Sequence, residues 1–172
     1  MMAIAEAQGF FDKLGGEMWD ATVQHMYLTF FAMTIAVGIA LPLGIWLARS
    51  KYPTVSSAVI GVAGAIQTVP SLALLSFIVV IFAIVSLPSI GTAPAIVALV
   101  LYALLPLLQN TYTGIRQVDP SVIEVARGMG MEPMQILFQV ELPLSLPVIM
   151  AGIRISTVWT IGVAALCGLV GA

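Results

Sequence analysis

The reading of the chain turns on Asp119-Pro-Ser-Val-Ile-Glu-Val-Ala-Arg-Gly-Met-Gly-Met-Glu-Pro-Met-Gln-Ile-Leu-Phe-Gln-Val-Glu-Leu-Pro143, the longest polar interlude in a very apolar sequence. It reads as two short helices about a glycine hinge. The first helix has two competing starts. Asp119 caps it with Pro120 at the first helical position, or Ser121 and Glu124 form a capping box in which each side chain satisfies an orphan N–H near the other. Val122, Val125, Ala126 and Met129 fall at the i, i+3, i+4, i+7 spacing of one apolar helix face. Gly128 and Gly130 are stop signals, and Gly130 suits a left-handed cap. Pro133 fits the first turn of a second helix, which Leu142-Pro143 is expected to end.

Around this interlude, 60% of the 172 residues are hydrophobic and 8% are charged. A soluble domain carries about a quarter charged residues. The apolar excess lies in contiguous runs, so the chain is an integral protein of the lipid bilayer. The net charge of −2 excludes a broad electrostatic footprint for nucleic acid. The single cysteine, Cys167, sits in an apolar run and reads as a small buried hydrophobe.

Residues 1–20 hold Glu6, Asp12, Lys13, Glu17 and Asp20 and lack the basic start and apolar centre of a signal peptide. They form an outer N-terminal segment, with a short interfacial helix over Ala5 to Trp19 that places Phe10, Phe11, Leu14 and Met18 on one side. Residues 21–172 form the membrane domain. Its first span runs from Ala21 to Ala48, with Pro42 as an expected kink. Arg49-Ser-Lys51 follows at once. A basic cluster after an acidic start puts the N-terminus outside and Arg49 and Lys51 in the cytoplasm.

No charged residue occurs from Tyr52 to Ile115. Arg116 and Arg127 belong on the same side as Arg49, so this run holds an even number of spans. Two fit, Val55 to Val85 and Thr92 to Leu108, with Leu87 to Pro94 as the outer turn. The earlier one is broken at Gln67-Thr-Val-Pro-Ser71. There Gln67, Thr68 and Ser71 either line a pathway or bond to a neighbouring helix. The last span covers Leu146 to Ala172. Arg154 lies in it, about 16 Å past Pro143 if the helix starts at the membrane surface. With Leu144 to Pro147 lying along the interface instead, Arg154 snorkels to the cytoplasmic side, which is the reading preferred here.

The polar interlude also carries a family resemblance. Glu124, Val125, Ala126 and Gly130 resemble the E-A-A-x-x-x-G signature of the inner-membrane subunits of ATP-binding-cassette importers. Nine residues later, Val140-Glu141-Leu142-Pro143 resembles the I-x-L-P that closes it, with Val125 and Val140 as mild departures. Ile66 to Leu75, Ala95 to Pro106, Gln109 to Ile115, Glu141 to Arg154 and Thr157 to Gly162 are similar to the osmoprotectant permeases among those importers. The resemblance covers the chain from about Tyr52 onward. It implies an all-α membrane domain of the type I importer fold, with four spans seen here of an expected five.

The resemblance further implies that residues 117–143 form a cytoplasmic coupling segment. Ser121, Glu124, Val125, Ala126, Arg127, Gly128, Gly130 and Met131 would meet the ATPase, and Val140, Leu142 and Pro143 would end the motif. It implies cytoplasmic ATP-binding subunits, a second permease copy or paralogue, and an external or periplasmic substrate-binding protein as partners. The expected location is a bacterial or archaeal cytoplasmic membrane. The expected cargo is glycine betaine, choline or carnitine; methionine or taurine importers share the architecture. Quaternary ammonium groups are cationic, which argues against an arginine exposed in the path.

A phosphate loop ends in Gly-Lys-Ser/Thr. The only lysines, Lys13 and Lys51, precede Leu14 and Tyr52, so ATP is expected on a partner subunit. No Cys, His and carboxylate cluster has metal spacing, His25 has no catalytic companion, and no catalytic residue is assigned. The rival from another class is an ATP-independent channel or carrier. It calls for charged or polar groups at mid-membrane, which the long neutral run does not supply.

Overall fold

The computed structural model describes the backbone of residues 2–171 and the side chains of residues 13–171. The expected placement of Phe10 and Phe11 lies outside the described side chains. Among the described residues every regular element is helical. α1 (Met2–Arg49) is continuous through Pro42 and passes residue 20 without a break. α2 (Pro53–Thr68) and α3 (Ser71–Ile84) meet at a 102° bend. α4 (Thr92–Arg116), α5 (Pro120–Gly128), α6 (Pro133–Ile136), a π-helical turn (Leu137–Glu141), α7 (Leu142–Ala164) and a 3-10 turn (Cys167–Val170) follow. Three helical segments, Lys13–Arg49, Thr92–Arg116 and Pro133–Ala164, are long and apolar enough to cross a membrane. The bent α2–α3 pair makes a fourth if it is taken as one span.

α4 lies at the centre, packed between α1 and α7. The α1–α4 seam is built from small residues. Ala32, Ala36 and Ala40 recur at helical spacing and are fully buried, as are Ala95, Leu99 and Ala103 on α4. Between helices in lipid, small side chains let backbones approach, so that dispersion over the whole seam replaces hydrophobic burial as the attraction. At Gly44 the approach is closest. A Cβ built there would stand 2.7 Å from Thr111 Cβ. On the other side of α4, Gly152 of α7 faces Asn110 and Pro106, and Ser156 Oγ donates to the Ala103 carbonyl over 3.0 Å.

Two ends are thereby defined. Arg49, Arg116, α5 and Glu141 cluster at one, the basic end. At the other, Gly91 N–H donates to the Val170 carbonyl over 2.8 Å, and His25 lies beside Ala164 and Gly168. The α2–α3 pair starts at the basic end, where Ser56 Oγ donates to the Leu47 carbonyl, and leads to Gly91 at the other. It therefore carries the chain from end to end despite its bend.

Three sequence expectations need correcting. α4 continues eight residues beyond Leu108, because Asn110 and Thr111 turn their side chains onto the Pro106 and Leu107 carbonyls of their own helix instead of breaking it. Leu142-Pro143 does not end the second short helix. The chain runs through the π turn into α7 as one helical segment, Pro133–Ala164. Leu142 N–H already bonds five residues back, to the Leu137 carbonyl, so the widened turn receives Pro143 where an α-helix would be disrupted. Finally, α7 stops at Ala164 and not at Ala172, giving way to the tight turn over Cys167–Val170 and to Gly171 at φ +76°.

Candidate functional site

Two places gather polar chemistry: the hairpin at the basic end and the break between α2 and α3. In the hairpin, the choice between two helix starts is resolved in favour of Asp119. Its carboxylate accepts from Ser121 N–H at 2.8 Å, with Pro120 opening the helix. That bond, with a smaller contribution from the Ser121 hydroxyl, holds the Asp119 pKa below the usual carboxylate value. At the far end Gly130 takes φ +84°, Gly130 N–H bonds the Arg127 carbonyl and Met131 N–H bonds the Ala126 carbonyl. These are the paired bonds of a Schellman cap, which closes the last turn and reverses the chain. Glu132 and Gln135 then form a capping box for α6.

The apolar face of α5 is not covered. Ala126 is buried, but Val125 is 62% and Met129 71% exposed, and Ser121, Glu124, Arg127 and Gly128 are exposed as well. Met131 and Val140 are half-buried, Leu142 packs against Ile115 and Leu137, and Pro143 is exposed. The hairpin is held by Arg49, a residue whose structural role the sequence did not disclose. Its Nη2 donates to the Pro133 carbonyl at 2.9 Å, and its Nη1 lies 3.6 Å from Glu141 Oε2. One side chain at the end of α1 thus grips both ends of the Pro133–Glu141 stretch. The second contact is an ion pair without hydrogen-bond geometry, and Glu141 Oε2 is buried with no other partner among the described residues. Arg49, Arg116, Arg127 and Glu141 line a cleft of about 440 Å³ beneath α5.

At the break, two prolines create complementary needs. Pro106 brings no N–H to the Tyr102 carbonyl four residues earlier in α4. Gln67 supplies the missing donor, its Nε2 lying 3.0 Å from that carbonyl. In return the Tyr102 hydroxyl donates to the Val69 carbonyl, beside Pro70 where α2 ends. Thr68 bonds back to the Ala65 carbonyl. Of the three polar residues at the break, Gln67 and Thr68 thus satisfy backbone carbonyls. Ser71 lines a groove of about 390 Å³ with Val158, Trp159, Gly162, Val163 and Leu166. Tyr102 was not singled out from sequence; the signal lay in Pro106, whose missing donor implies an outside partner for that carbonyl.

The segment before Arg154 departs from the preferred sequence reading. Leu144 to Pro147 lies within the continuous helix, so the segment expected along the interface is about one turn near the start of α7. Arg154 is exposed on that helix and makes no ion pair among the described residues.

Long apolar helices around a central one, with a polar helical hairpin presented at the end that carries Arg49, Arg116 and Arg127, define a polytopic membrane component. The chain belongs to the family of binding-protein-dependent transport system inner membrane components, matched over residues 40–172. It is 46% identical over 163 residues to a carnitine transport permease protein of Listeria monocytogenes, covering 95% of this chain and 71% of that one. It is 42% identical over 162 residues to a glycine betaine/carnitine/choline transport system permease protein of Bacillus subtilis, with coverage of 94% and 71%. In three dimensions it resembles an inward-facing structure of a methionine ABC transporter, with a TM-score of 0.75 and 27% identity over 90% of this chain and 76% of that chain. Among the described residues no group of three or more His, Cys, Asp or Glu side chains could hold a metal ion.

Proposed function

We propose that this chain is the permease subunit of an ATP-driven, binding-protein-dependent importer of compatible solutes: glycine betaine, carnitine and choline. ATP binds to cytoplasmic partner subunits. A second permease, identical or paralogous, completes the pathway, and an external binding protein delivers the solute. The N-terminus lies outside and the Arg49 end in the cytoplasm. The cargo rests on similarity to carnitine and glycine betaine/carnitine/choline permease proteins at 46% and 42% identity.

The observation that carries the mechanism is the uncovered apolar face of α5, Val125 and Met129, on a helix followed directly by the Pro133–Glu141 stretch that Arg49 ties to α1. An exposed apolar face on a short capped helix is a docking surface, and here the docking partner is the ATPase. Closure of the ATPase subunits on ATP moves α5, and the Arg49 grip together with the continuous path from α6 through the π turn transmits that movement to α7. The shift between inward- and outward-facing states requires contacts that differ between the two. Ser121, Glu124, Arg127, Gly128 and Met131 form the rest of this surface, with Gly130 as its turning point.

The test is uptake of labelled glycine betaine at high osmolarity in a host lacking its own betaine importers, with the complete transport system expressed. Uptake suppressed by choline or carnitine and unaffected by methionine is the expected result. Suppression by methionine alone would assign another cargo to the same architecture, and uptake without any ATPase subunit would replace the importer reading with a carrier. Gly130→Asp is expected to abolish uptake while the protein still inserts, because φ +84° costs a side-chain-bearing residue about 1–2 kcal/mol and the cap opens. Normal uptake by that variant would count against the coupling role.

A further inference from the structure

We propose that Arg154 receives the carboxylate of the transported solute, so that the permease itself favours carboxylate-bearing zwitterions over simple cations. The inference rests on the importer reading above.

Depth is the first ground. α7 is helical without interruption from Leu142, which puts Arg154 about 18 Å along it. Its neighbours give the same level independently. Ser156 bonds to Ala103, close to the middle of the 25-residue α4, and Gly152 packs against Asn110 and Pro106. Arg154 therefore sits near mid-bundle. An arginine side chain reaches about 7 Å, too short to bring its head to the basic end.

Direction is the second ground. Gly152 and Ser156, both buried, point at α4, and Arg154 lies halfway between them in sequence, about 200° around the helix from each. It faces away from the rest of this chain. One turn further along the same face comes Val158, which opens the groove shared by Ser71 at the α2–α3 break and Trp159. A guanidinium thus stands one helical turn from a groove lined by a tryptophan and a serine.

Counter-charge is the third. The sequence holds no Asp or Glu between Asp20 and Asp119, and none after Glu141. No carboxylate of these residues lies at the level of Arg154, and a second copy of them brings none. A charge at this depth faces a water-filled cavity or a partner. Glycine betaine and carnitine carry a carboxylate beside the quaternary ammonium, and choline carries none. A guanidinium binds a carboxylate through two parallel N–H bonds, and the aromatic groove one turn away suits the trimethylammonium end. The expectation that arginine is unwelcome in the path of a cationic group holds for choline alone.

The test compares wild type, Arg154→Gln and Arg154→Lys in the complete transport system, measuring uptake of labelled glycine betaine and of labelled choline. The same binding protein serves all three, so the ratio of variant to wild type isolates the permease. Losing a charge-assisted hydrogen bond corresponds to about a ten- to hundredfold loss. Arg154→Gln is expected to lower betaine uptake by about that factor and choline uptake by less than about twofold, with Arg154→Lys between. A parallel fall for both solutes, as for an arginine paired with another subunit or a lipid phosphate, overturns the proposal, and so does unchanged betaine uptake. Wild type moving neither solute would instead defeat the importer reading.

Arg154→Cys, made with Cys167→Ser, gives a readout independent of choline transport. A charged, water-soluble thiol reagent carrying an ammonium group should label Cys at 154 and restore part of the betaine uptake, and a neutral reagent should not. Absence of labelling would place the side chain in lipid and overturn the proposal.

Discussion

Replacing Gly152 by alanine should drive α4 and α7 apart. The added Cβ would stand 2.6 Å from Asn110 Cβ and 3.1 Å from the Pro106 carbonyl oxygen. Carbon atoms in contact prefer about 3.5–4.0 Å, so the shortfall is about 1 Å. Neither obstacle can rotate away, since one is a Cβ fixed to its helix and the other is backbone. The helices must separate, and the 3.0 Å bond from Ser156 to Ala103 one turn on lengthens toward breaking. Overpacking of this kind costs about 1–3 kcal/mol. Alanine also gains about 1 kcal/mol over glycine in a helix interior. Gly162→Ala, with nothing within 4 Å of the new atom, isolates that gain. Thermal unfolding of the purified protein in detergent, followed by tryptophan fluorescence, measures both. Gly162→Ala should unfold at or above the wild-type temperature, and Gly152→Ala should fall below Gly162→Ala by the overpacking cost. Coincident curves for the two variants would refute the close approach of α4 and α7.

Arg49→Ala removes one partner of a pair whose other member, Glu141, is 9% exposed. Stability should fall by about 3 kcal/mol, the lower end for a broken buried pair because the arginine is itself 28% exposed, as denaturant titration would show. Gln67→Leu leaves the Tyr102 carbonyl without a donor and should cost about 1–3 kcal/mol in the same assay, with solute preference unchanged. An altered preference at unchanged stability would make Gln67 a pathway residue. The Asp119 pKa is lowered on folding, so its contribution is present above the ordinary carboxylate pKa and is lost as pH falls through the depressed folded value. Amide exchange at Ser121 should accordingly lose protection only in strong acid in wild type, and should show no such acid step in Asp119→Asn.

Much of the architecture was legible because lipid imposes simple rules. Uncharged runs marked the long helices, and Arg49, Arg116 and Arg127 were correctly assigned to one end, where they now line a single cleft. Gly130 announced its left-handed turn because few other residues accept one. What remained hidden depended on partners distant in sequence. Nothing local shows that Arg49 spans 84 residues to reach Pro133, or that Gln67 supplies the donor Pro106 withholds while Tyr102 bonds the Val69 carbonyl beside Pro70. The expectation for Leu142-Pro143 failed for a different reason. Proline was read as a terminator on the assumption of an α-helix before it, and a π turn has no local sequence marker. The apolar spacing of Val122, Val125, Ala126 and Met129 was read correctly as a face, but spacing does not say whether a face meets its own chain or another.

The π turn at Leu137–Glu141 has a consequence of phase. It adds one residue to the helical repeat, so every side chain beyond it is rotated by about 100° relative to an uninterrupted α-helix. That offset lets Glu141 point at Arg49 while Ser145, Gly152, Ser156 and Thr160 all meet the core. Shortening the segment by one residue would leave its composition almost unaltered, yet would swing the buried stripe of α7 toward the outside and carry Arg154 with it. The hairpin and the membrane helix are thus keyed to each other like two cams on one shaft, with their angular setting fixed by a single extra residue.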